Sequence, residues 1–154
     1  MSDSIQARVA KLGLTLPPAA PAAANYVPTV RTGNLLYISG QISIGDGDGV
    51  QGRLGDTVSI EDGVRAARIA ALGLLARIDA AVGGDVNAVR RVVRLGVFIA
   101  ATPDFAEHSK IGNGASDLIV AVLGDAGRHV RTSVGVASLP VGAAVEIDAI
   151  VELA

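Results

Sequence analysis

A guanidinium and a carboxylate interrupt the apolar runs near the end of the sequence. In "GRHVRTSVGVASLPVGAAVEIDAIV" (residues 127–151), Arg131 stands in the first run and Glu146 in the second. The stretch predicts two strands joined at a turn around Pro140-Val141, an antiparallel hairpin. Alternate side chains of a strand share a face, so His129, Arg131 and Ser133 point one way and Val130, Thr132 and Val134 the other. With the turn centred there, Glu146 falls roughly opposite Gly135, on the Arg131 face but displaced along the strand. Two roles fit Arg131 in that setting. It pairs with a carboxylate and orders a subunit interface, or its planar fork grips a ligand carboxylate through two parallel hydrogen bonds that lysine does not offer.

Other chemistries lack their residues. There is no Cys, which removes disulfides, zinc-thiolate sites and a cysteine nucleophile. His108 and His129 have no metal-ligand spacing. The sequence contains no phosphate-cradling G-x-x-x-x-G-K-[ST], no G-x-G-x-x-G at a strand-to-helix junction and no G-x-S-x-G elbow. Asp46 and Asp48 lie between glycines but lack the spacing and distal glutamate of a calcium loop. Neither cofactor nor metal is expected. A net charge of −2 gives no electrostatic case for nucleic acid or membrane partners. Arg90, Arg91 and Arg94 suggest a basic patch at first. On a strand, Arg90 and Arg94 face one way and Arg91 the other, which favours a solvated edge or interface pairing.

The elements that must position Arg131 and Glu146 follow from the pattern of the rest. The chain has 154 residues, half of them apolar and only 3% aromatic, so one core of Ala, Val, Leu and Ile is expected. Residues 4–12 predict a short helix ending at Gly13, followed by a Pro/Ala linker. The turn Thr32-Gly33-Asn34 separates two short strands. Residues 59–82 predict the clearest helix. Ser59 and Asp62 form a capping pattern, Val64, Ala67, Ala71, Leu75, Ile78 and Val82 make one stripe, and Gly83-Gly84 ends it. Residues 88–100 read as a strand. A second helix is predicted to start at Thr102 as cap with Pro103 behind it, to be interrupted by Gly112-Asn113-Gly114, and to end at Gly124. The order β-β-α-β-α-β-β predicts an α+β fold, one mixed sheet of about five or six strands with two helices on one face. The strands are apolar on both faces, so the uncovered face requires a partner surface, most simply another copy of the chain. The run from residue 12 to 30 is uncharged, but Pro17, Pro18, Pro21 and Pro28 exclude a membrane helix. The first residues lack an apolar leader, so a soluble cytoplasmic protein is expected.

"NYVPTVRTGNLLYISGQIS", "DFAEH" with the later Asn113, and "RTSVGVASLP…VEIDAI" together resemble the Rid/YjgF family of reactive intermediate deaminases, also called L-PSP endoribonuclease-like. The resemblance covers residues 25–153 and leaves residues 1–24 as an N-terminal extension. It implies a chorismate mutase-like fold: a homotrimer with a central barrel of sheets, helices outside and three clefts between subunits. It implies hydrolysis of 2-imino or enamino acids to 2-oxo acids and ammonia, without a cofactor. By that resemblance, Arg131 holds the substrate carboxylate and Glu146 positions the hydrolytic water. Tyr26, Asn113 and Ser133 line the cleft, and Gly40 makes a backbone contact. The alternative is a non-enzymatic trimer that binds a small carboxylate ligand or a protein partner.

The residues also have plainer readings. Tyr26, after the linker, suits an anchor into the core, Asn113 between glycines suits a helix break, and His129 suits a polar interface. The chain departs from the family at His129-Val130-Arg131-Thr132, where a small Pro-Ala pair before the arginine is usual. It departs again at Ser133, where many members have Cys, and at Ser116, where many have a bulky aromatic.

Overall fold

The computed structural model describes residues 3–45 and 47–154; Asp46 of the glycine-rich loop lies outside them. In chain order, the elements are α1 (Ile5–Lys11), β1 (Thr29–Thr32), β2 (Leu35–Ile42), α2 (Ile60–Val82), β3 (Val89–Ala100), α3 (His108–Leu123), β4 (Val130–Val136) and β5 (Val145–Leu153). The strands form one sheet in the order β1-β2-β5-β3-β4. All pairings are antiparallel except β3 with β4, which run parallel. A mixed α+β sheet of five strands is therefore what the sequence pattern implied.

Local chemistry explains most element ends. The Ser59 hydroxyl accepts from the Asp62 N–H at 3.1 Å, and Gly83 closes α2 in the left-handed region at φ +62°. The Ser4 hydroxyl accepts from Ala7 N–H at the start of α1. Helices α2 and α3 pack on one face of the sheet. Ala66, Ala67, Ala70, Ala71, Leu74 and Leu75 of α2 are fully buried with Ile111, Ala115 and Ile119 of α3 and with Leu95, Val97, Ile99 and Ile147 of the sheet. The helices lie close because Gly114 has no side chain; a Cβ there would overlap the carbonyl oxygen of Val64 on α2. Helix α1 belongs to the same core. Ile5 and Val9 are fully buried, Ile5 N–H donates to Gly84 O at 3.2 Å, and Arg8 Nη1 donates to Val122 O at 2.9 Å.

Two expectations are corrected. The last two strands are not a hairpin. A 3-10 turn at Pro140–Gly142 begins the return, but β5 then inserts between β2 and β3, leaving β4 outside β3 at the edge. Helix α3 starts at His108, not Thr102, and runs unbroken through Gly112, Asn113 and Gly114 to Leu123. Thr102 and Phe105 form a turn instead, with Thr102 N–H held by Leu54 O and Phe105 N–H by Thr102 O. Two irregularities in β3 also alter the arginines. Arg90 and Arg91 both approach Glu152, at 3.8 and 3.7 Å, and Arg94 approaches Asp148 at 3.3 Å, so all three pair with acids of β5. Among the described residues, no helix is long and apolar enough to cross a membrane.

The sheet face away from the helices is uncovered. It carries Val30, Tyr37, Val130 and Val134, all exposed, beside half-buried Phe98 and Ile150. Val130 is 68% exposed. A surface this apolar is the kind that a folded chain covers with a partner.

Candidate functional site

Arg131 lies on edge strand β4, and its register with Leu95 and Ala149 turns it toward α3. The guanidinium is braced by that helix. Nη1 donates to Asn113 Oδ1 at 3.1 Å and to Ser116 Oγ at 3.0 Å, and Nη2 donates to Ser109 O at 3.3 Å. These bonds use three of its five N–H donors. Among the described residues, Nε–H and one Nη2–H are left for a ligand. Gly112 makes the room: a Cβ there would stand 2.7 Å from Ser133 Oγ and 3.0 Å from Arg131 Cζ. Ser133 Oγ is itself buried and has no hydrogen-bond partner among the described residues. Arg131, Asn113 and Ser133 thus come together, and the helix that was expected to break at Asn113 instead carries it to the guanidinium.

Glu146 stands elsewhere. Its register with Phe98 and Ile42 turns it to the face without helices. Its carboxylate lies over Gly40 of β2, where a Cβ would overlap Glu146 Oε1. Gly40 and Glu146 are therefore brought together, and a glycine is required between them by space rather than by backbone conformation. Burial pushes the Glu146 carboxyl above the usual glutamate range, and the neighbouring Asp148 carboxylate adds to the rise. Tyr26 precedes β1 and is 56% exposed, so it does not anchor into the core of its own chain.

The expectation that Glu146 shares a face with Arg131 is overturned by the register. Across β3, Arg131 aligns with Leu95 and Glu146 with Phe98, three residues away, an odd step that reverses the face. Three residues along and two strands across also put their backbones on the order of 14 Å apart. One chain therefore presents two half-sites: a cradle of Arg131, Asn113 and Ser133, and a carboxylate over glycine at Glu146 and Gly40.

The fold and these half-sites meet a family model, "YjgF/chorismate_mutase-like, putative endoribonuclease", which matches residues 6–153. The chain belongs to the YjgF family. Protein TCP17 of Trypanosoma cruzi is 47% identical over 154 residues, covering 99% of this chain and 96% of that one. The crystal structure of Atu1372 from Agrobacterium tumefaciens, a protein of unknown function, is 48% identical with a TM-score of 0.91, covering 99% of this chain and 95% of that one. E. coli TdcF with bound serine is 25% identical with a TM-score of 0.61, covering 89% of this chain and 93% of that one. The YjgF fold accounts for the one-sided packing of helices on the sheet.

Sequence reasoning missed Gly112, which it took for part of a helix break, and the Ser109 carbonyl. Ser116 was visible only as a departure from the family, and His129 as a neighbour on the Arg131 face suited to a polar interface. Both join the Arg131 cradle: Ser116 Oγ lies 2.9 Å from His129 Nε2.

Proposed function

We propose that this YjgF protein hydrolyses reactive 2-imino and enamino acids to 2-oxo acids and ammonia, in clefts between the subunits of a cytoplasmic homotrimer. Residues 25–154 form the working domain, and residues 1–24 are an extension whose helix α1 docks on its helices. The observation that carries the reading is the braced Arg131 with two donors left over, which suits the two oxygens of a carboxylate. Asn113 and Ser133 line the same cradle.

In this reading, the second half of each cleft comes from a neighbouring copy, whose uncovered sheet face presents Glu146 over Gly40, with exposed Tyr26 supplied from the segment before β1. The chemistry asks little of the protein. The imine carbon is already electrophilic, and the site fixes the carboxylate, places a water and moves protons. Glu146, with its carboxyl raised by burial, suits a group that takes a proton from the attacking water and returns one to the departing nitrogen. Water adds to the C=N carbon, the C–N bond then breaks, and ammonia leaves a 2-oxo acid. No redox step is involved.

A second reading is favoured by the separation of the half-sites. The Arg131 cradle is complete within one chain and is sufficient to bind a small carboxylate without turnover. The deciding experiment generates imino acids in situ with an amino-acid oxidase and follows 2-oxo acid and ammonia release, with wild type and Arg131→Ala compared and oligomer mass measured for both. Acceleration by wild type that is lost in an equally assembled variant supports the deaminase. No acceleration by assembled wild type across several side chains overturns it in favour of binding alone.

A further inference from the structure

The Arg131 cradle has a second layer. His129 Nδ1 lies 2.6 Å from Gly127 O. A carbonyl oxygen only accepts, so Nδ1 carries the proton. In the neutral ring, Nε2 is then a lone pair, and it faces Ser116 Oγ at 2.9 Å. Ser116 has one proton, and the ring takes it. Its remaining lone pairs are left to accept from Arg131 Nη1 at 3.0 Å. The order of donation is fixed from one end to the other: Arg131 to Ser116, Ser116 to His129, His129 to the Gly127 carbonyl.

We propose that Ser116 and His129 are positioning residues for Arg131: the backbone carbonyl of Gly127 fixes the histidine tautomer, the tautomer fixes the serine hydroxyl, and the hydroxyl aims the guanidinium so that Nε–H and one Nη2–H face the ligand carboxylate. Neither residue touches the ligand. The three groups come from separate elements, with Ser116 on α3, Arg131 on β4 and His129 in the connection between them. Without the chain of bonds, Asn113 and the Ser109 carbonyl hold only part of the guanidinium, and Arg131, on an exposed edge strand, is free to adopt other rotamers. The inference rests on Arg131 being the carboxylate holder, as proposed above.

The test titrates pyruvate, 2-oxobutyrate and serine into wild type, Arg131→Ala, Ser116→Ala, His129→Phe and the Ser116→Ala/His129→Phe double variant, with oligomer mass and melting temperature measured for each. Ser116→Ala and His129→Phe are each expected to weaken binding about 5-fold, the value of one lost hydrogen bond. The double variant is expected to be no weaker than Ser116→Ala alone, because bonds in series are lost once. Nitrogen-15 spectra of histidine, recorded well above the ordinary histidine range, are expected to show one ring protonated at Nδ1 that disappears in His129→Phe. Loss of binding in Arg131→Ala with wild-type affinity in both Ser116→Ala and His129→Phe overturns the positioning role and leaves the carboxylate reading intact. A His129 ring protonated at Nε2 overturns the order of donation. Equal binding by wild type and Arg131→Ala, or no binding of any of the three ligands, overturns the carboxylate reading, and this proposal with it.

Discussion

Arg131 and Glu146 stand on opposite faces of one sheet, aligned through β3 with Leu95 and Phe98 respectively. The relationship makes a cleft that uses both dependent on two copies of the chain. Mixing Arg131→Ala with Glu146→Ala, each inactive alone, is expected to rebuild clefts that hold an intact residue from each copy. Random assembly at equal amounts restores about a quarter of wild-type deamination if each cleft draws one residue from each of two neighbours in a closed ring. Activity measured after co-refolding checks this. Mixtures as inactive as their parents, despite confirmed mixed assemblies, contradict a shared cleft.

Two glycines half a turn apart on α3, and so on opposite faces of it, are predicted to fail in different ways. At Gly112, an added methyl meets the movable side chains of Ser133 and Arg131. Gly112→Ala is expected to keep the fold and weaken carboxylate binding about 10-fold by displacing the guanidinium. At Gly114, the methyl meets the Val64 backbone, which moves only if α2 and α3 separate. Gly114→Ala is expected to cost about 1–3 kcal/mol of stability. Ligand titration and denaturant melts on both variants separate the two effects.

Glu146 gives stability a pH dependence whose sign follows from its raised carboxyl. The folded chain binds this proton more tightly than the unfolded chain. Stability is therefore lost as pH rises from the ordinary glutamate value through the raised one, and is unaffected below both. Glu146→Gln removes that loss. Thermal melts across pH are expected to show the variant gaining on wild type through this window, with a constant gap above it. Parallel curves for the two proteins throughout would rule the effect out.

The N-terminal helix is predicted to matter for stability as part of the core, because Ile5 is fully buried against the helices. Ile5→Ala is expected to cost about 2–5 kcal/mol. Arg8→Ala, which loses the bond to Val122 O, is expected to cost about 1 kcal/mol. Chemical denaturation of each variant provides the measure.

The sequence was most readable where structure is set locally. Ser59 caps α2, Gly33 turns β1 into β2 at φ +57°, and the alternation that placed Arg131 and Ser133 on one face survives in the fold. The errors came where a local signal serves a distant partner. Pro140-Val141 resembles a hairpin turn, yet β5 pairs with strands from far earlier in the chain, and nothing near Pro140 encodes that choice. Thr102-Pro103-Asp104 has the chemistry of a helix start but is spent on a turn tied to Leu54. Gly112 and Gly114 looked like breaks, because local propensity does not reveal that a guanidinium and a neighbouring helix require the space. The face of Glu146 was misjudged for the same reason, since it depended on the mistaken hairpin.

The place of β5 has a consequence for how the protein is made. Residues 145–153, the last of these five strands to leave the ribosome, occupy the middle of the sheet between β2 and β3. Until they emerge, the β1-β2 pair and the β3-β4 pair have no strand to join them, and the growing chain holds two separate ribbons with open inner edges. The sheet closes only once β5 has been made. A nascent chain stalled before residue 145 is expected to hold two unjoined half-sheets, a ready substrate for quality control.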